Sequence, residues 1–548
     1  MTRTGCAEYD VIVVGLGAAG VAAAIEASDA GARVLAIDRA YGGGATALSG
    51  GIVYAGGGTA QQAAAGVTDD PDNMFRYLVQ EVRGAVSEPT LRNFCDESVR
   101  MIEWLERVGA SFEPSLAPHK TSYPTDRHYL YYSGNEKAHP YIEHARPAPR
   151  GHRQVAKGLD SGKVLFSRLL ATAIHKGVTV LPHTRVDELI VEEGAVVGVR
   201  YRTVQEMNLP KNYQRRRLLA DKLGNWAPGI GAKLARKLEA EWQDLAQPGE
   251  ARAGSIVLAG GGFVRNRQWM EQWAGPYRDV SPLGTSSDDG GAISLGITAG
   301  GVVQHMDRLT AWRFITPTSA MTEGVIVDGV GYRIANEDLY GATFADQMVR
   351  KHEGKGWLIL DAEQWRKARR QIRHQTNAFQ LAQLLYLYTV GHRKSRSLTA
   401  LARKTAIPFH TLESTVNAYN SGVLYGKGDP AKKASELSSA IRSKPYFAIN
   451  VSIKNSPFYP APGLTLGGLK VDEVTGNVVD IDGEPIEGLF AAGRTAVGVC
   501  SVGYISGLSL ADCFFSGRRA GRSAAGINRV DKEVRLQPSV AEPNLTRH

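Results

Sequence analysis

The residues best placed by type and spacing to do chemistry are glycines near the start of the chain. Gly15, Gly17 and Gly20 follow a G-x-G-x-x-G spacing with Ala18 and Ala19 inside it, and Asp38 and Arg39 come 18 and 19 residues after Gly20. Glycine at the first position allows a tight turn. At the second it lets a pyrophosphate touch the backbone, and at the third it allows a helix to pack closely on a strand. A carboxylate at that distance can accept hydrogen bonds from a ribose. A second run holds Gly42, Gly43, Gly44, Gly50 and Gly51, with Ala45, Thr46 and Ser49 among them. It can thread an extended backbone along a large ligand. The Thr46 and Ser49 hydroxyls either meet that ligand or bond within their own turn. Farther on come His119, His128, His139, His144 and His152, interleaved with Tyr129, Tyr131, Tyr132 and Tyr141. Neither H-x-x-x-H nor H-E-x-x-H spacing occurs there, so no metal site is expected. The rings fit better as the lining of a mouth for a flat apolar ligand.

These residues need elements to hold them. Asp10-Val11-Ile12-Val13-Val14 is a buried-strand pattern, the Ala-rich stretch Val21 to Ala30 a helix, Gly31-Ala32 a break, and Arg33 to Asp38 a second strand. This is the opening βαβ of a dinucleotide-binding fold, with strand, helix and acid where the glycine pattern requires them. The second glycine run has no use in a simple nicotinamide domain, which selects FAD over NAD. Helices are predicted over 75–109 and 163–174, a hairpin over 186–204 around Glu192-Glu193-Gly194, and a strand over 255–259. A separate α+β region is predicted over about 324–460 with helices near 379–388 and 412–420, then a strand at 488–493 and a closing helix over 508–525. Residues 205–253 read as an insert of two helical pieces. In it Ile230, Leu234, Leu238, Trp242 and Leu245 form one apolar stripe beside Lys233, Arg236 and Lys237. Such a stripe packs on the body or on a twin subunit, or it lies in a membrane interface.

The chain has 548 residues, 43% apolar and 22% charged, a globular balance that suits two or more domains and argues against wholesale disorder. Its 61 glycines come in clusters without a G-x-y period, which excludes collagen. Cys6, Cys95, Cys500 and Cys513 form no C-x-x-C, so a disulfide framework, a Cys-rich zinc site and a c-type haem are not expected. A reducing, cytoplasmic home is. Neither a signal peptide nor a membrane span is read. The net charge is +9, and Arg366 to Lys404 alone holds ten Lys/Arg and no Asp/Glu. Aromatics do not interleave these charges as a stacking platform would. The segment reads as a solvated basic face, with no nucleic-acid partner.

Six signatures in order carry a family resemblance. They are Gly-Leu-Gly-Ala-Ala-Gly at 15–20, Gly-Gly-Ala-Thr-Ala-Leu-Ser-Gly-Gly at 43–51, Leu-Ala-Gly-Gly-Gly-Phe at 258–263, Ser-Asp-Asp-Gly-Gly-Ala at 287–292, Gly-Tyr-Arg-Ile-Ala-Asn-Glu at 331–337 and Gly-Leu-Phe-Ala-Ala-Gly-Arg-Thr at 488–495. The chain resembles the FAD-dependent fumarate reductase / 3-ketosteroid dehydrogenase superfamily. The resemblance implies an α/β fold, a discontinuous Rossmann-like FAD-binding domain of the glutathione-reductase kind with an inserted α+β catalytic domain. The expected division is 1–310 (containing the insert 205–253) and 460–548 for FAD, and 311–459 for catalysis. It also implies FAD as cofactor, held by Gly15, Gly17, Ala18, Ala19, Gly20, Asp38, Arg39, Gly44, Ala45, Thr46, Ser49, Gly50, Gly51 and Gly260. The Val186 backbone falls at the adenine, Asp289 near the ribityl chain, and Gly493, Ser509 and Leu510 near the pyrimidine end of the flavin.

Haem-bearing fumarate reductases of this superfamily carry c-type haem motifs and use several Arg and His to grip two carboxylates. Here Val502-Gly503-Tyr504-Ile505-Ser506-Gly507-Leu508 offers hydroxyls and amides, which favours a ketone. The Δ1-dehydrogenases of ketosteroids carry a Tyr-Pro-Gly-x-Gly segment at this place. Tyr504-Ile505-Ser506 resembles instead the Tyr-x-Ser of the 3-ketosteroid Δ4-(5α)-dehydrogenases, and Tyr340 matches their second tyrosine. The implied reaction removes a proton from C4 and a hydride from C5 of a saturated 3-ketosteroid to give a 4-en-3-one. Tyr504, with a backbone amide at Gly507 or Leu508, would polarise the carbonyl. Ser506 would take the proton, through Tyr340 because unaided serine is too weak a base. Tyr504 and Tyr340 also read as packing residues and Ser506 as a helix cap. The implied partners are an apolar steroid and an electron acceptor, with membrane or twin-subunit contact through 205–253. Competing readings are a Δ1-dehydrogenase, a reductase of an unsaturated acid, and a non-catalytic FAD-bearing structural or interaction protein.

Overall fold

Four aliphatic residues in a row cannot face water on alternate sides. In the computed structural model Val11 to Val14 are all buried, on a strand, Tyr9–Val14, inside the main sheet. Residues 8–313, 318–426, 428–454 and 459–526 are described; Cys6 and the stretch 527–548 of the third expected segment lie outside them. The eight-stranded sheet runs in the order 477–479, 485–491, 247–258, 9–14, 34–37, 179–181, and the hairpin 184–192/195–203 joins it through the start of 247–258. Tyr9–Val14 is parallel to both neighbours, with Val11 opposite Val34 on one side and Ser255 on the other. Pro485–Ala491 extends the parallel sheet, so the end of the chain completes the domain that the beginning opens. This is the expected discontinuous α/β domain.

Small residues set how tightly its helices sit. A Cβ on Gly20 would lie 1.9 Å from the Gly15 carbonyl oxygen, so the helix Ala18–Asp29 starts against the preceding turn. The closing helix Leu508–Ala524 crosses it at Gly517 and Gly521, where a Cβ would come within 2.3 Å of the Ala19 and Ala23 carbonyls. A second, antiparallel sheet of 325–327, 357–360, 446–450 and 392–395 forms the α+β region, with helices such as Gly341–Lys351 and Ala362–Gln375 around it.

Two expectations change. The stretch 75–109 is three helices, Pro71–Val82, Glu88–Asp96 and Ser98–Arg107. The first ends where Arg83 and Gly84 take positive φ, and Ser87 caps the second by accepting from the Thr90 N–H. The insert is shorter than 205–253. Gln247–Leu258 is a single strand whose first half pairs with 195–203 and whose second half pairs with 9–14. What remains is a hairpin of helices Tyr213–Trp226 and Pro228–Leu245. Leu238 and Trp242 of its stripe are 1% and 3% exposed, with Leu234 and Leu245 packed beside them and only Ile230 left in solvent. The Trp242 indole N–H donates to the His183 carbonyl at 2.9 Å. Most of the stripe is therefore used inside the chain, in the packing role that was one of its expected uses. No described helix is long and apolar enough to cross a membrane.

Candidate active site

One cleft runs past the C-terminal ends of the central strands. It is lined by Gly15, Gly17, Ala18, Ala19, Asp38, Arg39, Gly44, Ala45, Thr46, Ser49, Gly50, Val186, Gly260, Asp289, Gly493, Ser509 and Leu510. Two predicted contacts stand outside it. Gly20 faces the Gly15 carbonyl, in the packing role its position implies. Gly51 is a correction: its φ is +61°, and a Cβ there would meet the backbone of Ser161 and Gly162 at 2.5–2.6 Å. It closes a turn against that helix and is not among the residues that line the cleft.

The cleft has the chemistry of a dinucleotide site. The helices Ala18–Asp29 and Leu508–Ala524 both begin on it, with glycine N-caps, Gly17 and Gly507, that carry no side-chain cap bond. Their N-terminal dipoles favour negative charge. A Cβ on Gly17 would find only Thr46 Oγ1 at 3.6 Å and the Gly43 carbonyl at 4.0 Å, so the space beside Gly17 is open to a ligand. Arg494 lines the cleft, tied to Asp288 at 2.6 Å, and its Nη1 is buried without a partner. An FAD pyrophosphate and ribityl chain match this donor set.

Several predicted polar contacts are already engaged by the protein. The Asp38 carboxylate accepts from the Leu16, Ala40 and Gly42 N–H groups at 2.8, 2.8 and 3.2 Å, which leaves one lone-pair site for a ribose. Thr46 Oγ1 accepts from the Ala18 N–H at 3.0 Å, and Ser49 Oγ donates to the Thr46 carbonyl at 2.7 Å. Ser49 thus serves its own turn, while Thr46 ties that turn to the first glycine loop. Asp289 is paired with Arg39 at 2.5 Å and takes the Gly291 N–H. A bulge follows Val186 in the hairpin and interrupts its pairing, which re-aims the backbone at the cleft wall.

At the other end the wall is Ile52, Trp312, Leu464, Tyr504, Ser506 and Gly507. Ser506 Oγ is 2.9 Å from the Tyr131 hydroxyl. Ser506 also lies near enough to the Tyr340 phenol to lower its pKa, although burial dominates and holds that phenol well above its usual range. Trp312 Nε1 donates to the Tyr340 hydroxyl at 2.9 Å, and its ring meets Tyr504 edge-on at 4.8 Å. So the structure brings Tyr504, Ser506 and Tyr340 together, with Ser506 on the cleft and Tyr340 behind it. Burial also raises the phenols of Tyr131 and Tyr504, so all three tyrosines keep their protons at neutral pH. Of the two amides expected to face a carbonyl, Leu508 is a correction. It does not line the cleft, and its N–H donates to the Ile505 carbonyl at 3.2 Å. Gly507 stays as the amide on the wall.

The sequence offered Tyr131 only as one ring of a mouth for an apolar ligand, and it did not single out Trp312. Tyr131 sits in the His/Tyr-rich stretch, on a short strand, Leu130–Tyr131, that pairs with Gly151–Arg153. The histidines there do not converge. His152 is buried between Thr59 Oγ1 and the Arg150 carbonyl, His139 pairs with Glu143, and among the described residues no group of three metal-ligating side chains forms. The same stretch supplies Asn135, whose Oδ1 accepts from the Tyr340 N–H at 2.6 Å and whose Nδ2 donates to Glu81 at 2.7 Å. Tyr77 donates to the same Glu81 oxygen at 2.6 Å.

Glu81 makes this support pH-sensitive. Burial raises its pKa from 4.5 to about 7. A carboxyl held protonated in the fold stabilises it fully below the unfolded value, and that stabilisation is lost as the pH rises through 7. Glu81→Gln keeps the neutral shape. It is expected to melt like the wild type at about pH 4, below the unfolded value, and to be more stable at pH 8 by roughly 3 kcal/mol. Thermal melts at the two pH values check this, and equal melting at pH 8 rules the effect out.

Known proteins align with this geometry. Residues 10–510 match the model of the family described as FAD binding domain. The chain is 37% identical over 500 residues to a 3-oxo-5-alpha-steroid 4-dehydrogenase of Comamonas testosteroni, covering 88% of this chain and 92% of that one. It is 26% identical to a probable fumarate reductase of Shewanella frigidimarina, covering 94% of this chain and 74% of that one. The crystal structure of the 3-ketosteroid-delta4-(5alpha)-dehydrogenase of Rhodococcus jostii RHA1, in complex with 4-androstene-3,17-dione, superposes with a TM-score of 0.79 and 31% identity over 96% of this chain and 98% of that one.

Proposed function

We infer the activity from the premise that the chain belongs to the FAD binding domain family: it is an FAD-dependent oxidoreductase that converts a saturated 3-ketosteroid to its 4-en-3-one. The observation that carries the choice within the family is the Ser506 hydroxyl on the cleft wall, bonded to Tyr131 and standing beside Tyr504. Hydroxyls, one amide and apolar rings suit a ketone on a flat apolar skeleton better than a dicarboxylate.

FAD, when bound, supplies the two-electron acceptor of the reaction. The chain's own residues handle the carbonyl and the proton. The Tyr504 phenol, kept protonated by burial, donates to the C3 carbonyl oxygen, and the Gly507 N–H adds a second donor as negative charge grows there. That makes the C4 proton acidic. Ser506 Oγ accepts it as its own proton passes to the Tyr131 or Tyr340 oxygen, and that phenol in turn gives up its proton toward bulk water, the final acceptor. Because both phenols are raised, they act as relay oxygens that exchange protons, and not as preformed phenolates. Trp312 and Leu464 keep water from the developing enolate. A separate electron acceptor reoxidises the cofactor. The described cysteines, Cys95, Cys500 and Cys513, are free thiols, which suits a cytoplasmic setting.

The test is anaerobic. Flavin absorbance is expected to bleach with a 5α-3-ketosteroid, and a conjugated 4-en-3-one is expected in stoichiometric amount. Bleaching by a 4-en-3-one with formation of a 1,4-diene assigns the Δ1 reaction instead. Oxidation of the reduced protein by an unsaturated dicarboxylate alone assigns an acid reductase. A flavin that responds to none of them marks a non-catalytic protein.

A further inference from the structure

The first helix of the insert, Tyr213–Trp226, has two working faces. Tyr213 and Ala220 pack into the hairpin core. Gln214, Arg217, Leu218 and Asp221, spaced i, i+3, i+4, i+7, line the same cleft as Asp38 and Val186. Three features of this wall point to a ligand. Leu218 is 51% exposed although it faces the cleft. His183, also on the wall and 1% exposed, has both ring nitrogens buried without a partner. Tyr41 and Tyr213 hold that ring edge-on at 4.3 and 6.0 Å. Arg217 is buried, with Nη2 reaching Ser287 Oγ at 3.2 Å and Nε unpartnered.

The hairpin is also fastened to the cleft rim. The Ser286 N–H donates to Asp221 at 2.8 Å and the Gly284 N–H to Asn225 at 3.1 Å. Glu239 of the second helix bridges Arg185 at 2.8 Å and Arg39 at 3.5 Å. Tyr41 donates to Glu206 at 2.6 Å. These bonds tie the insert to residues next to Asp38, the ribose acid, and to Val186, the adenine strand.

We propose that the insert is a lid over the adenosine half of the cofactor, in which Leu218 covers the adenine while Arg217 and His183 bond its ribose or phosphate oxygens and ring nitrogens. The proposal rests on the FAD reading of the cleft. It adds that this hairpin sets how slowly FAD leaves and how strongly FAD is preferred over FMN, which lacks the adenosine half.

The experiment measures cofactor release. FAD-loaded wild type and the double variant Arg217→Ala/Leu218→Ser are mixed with excess apoprotein of an unrelated FAD scavenger, and released flavin is followed by fluorescence. FMN binding to the two apoproteins is titrated in parallel. The variant is expected to release FAD at least tenfold faster, with FMN affinity within twofold of wild type. Leu219→Ser, exposed and off the cleft wall, is expected to behave as wild type. Arg217→Lys/Leu218→Met is expected to restore most of the slow release. FAD release within twofold of wild type overturns the lid, and so does an equal loss of FAD and FMN, which marks general loosening. If the double variant does not fold, Leu218→Ser alone is read against the same thresholds. A wild type that binds no FAD overturns the cofactor reading as well as the lid, whereas a wild type that binds FAD with an unchanged variant overturns only the lid.

Discussion

Gly17→Val is expected to yield a folded protein that carries no FAD. The Gly17 backbone is extended, with φ −88° and ψ −160°, a region open to β-branched residues. A Cβ there meets nothing of the protein closer than 3.6 Å. The side chain instead fills the space where a pyrophosphate must approach the backbone. Affinity should fall by at least ~100-fold, or roughly 2.7 kcal/mol. Gly20 gives the contrast: a Cβ there lies 1.9 Å from the Gly15 carbonyl, so Gly20→Ala attacks the fold itself. Thermal melting without flavin separates the two. Gly17→Val should melt near wild-type apoprotein and Gly20→Ala well below it. Full flavin content in Gly17→Val, measured after denaturation, removes Gly17 from the site.

Tyr504→Phe is expected to keep FAD and lose most of its turnover. The change deletes one hydroxyl and almost no volume, so the edge-on contact with Trp312 at 4.8 Å can persist. A positioned proton-donating group is typically worth ~10²–10⁴-fold in rate, and single-turnover flavin reduction should fall by that order. Tyr340→Phe and Ser506→Ala should also fall, and Tyr131→Phe should join them because it bonds Ser506 directly. The pH profile adds a sign. Burial raises the Tyr504 phenol above its ordinary value, so it holds its proton to higher pH. The wild-type rate is expected to show no alkaline loss from Tyr504 below about pH 10. Unchanged single-turnover rates in Tyr504→Phe remove it from the carbonyl.

By itself the sequence determined the parts of this protein whose physics is local. Strand Tyr9–Val14, helix Ala18–Asp29 and the acid at 38 follow from an aliphatic run, a small-residue helix and a fixed glycine spacing, each readable within about thirty residues. The Glu193-Gly194 turn was equally legible, since both residues take positive φ, at 51° and 85°. The proposed catalytic segment Tyr504-Ile505-Ser506-Gly507 could be named from its residue types and its likeness to a family pattern. Only the tertiary structure decided what each face meets. Periodicity says that Leu238 and Trp242 want burial, but not that the His183 backbone and the hairpin strands will bury them, and so a self-packed stripe looked like a lipid or partner surface. Tyr131, the proposed relay partner, stands 375 residues from Ser506, a separation over which no local pattern carries information. Which of Gly507 and Leu508 offers a free amide depended on a single turn bond to Ile505. Burial raises the Tyr340 and Tyr504 phenols, a shift no sequence pattern shows, because desolvation of a phenolate is set by everything packed around it.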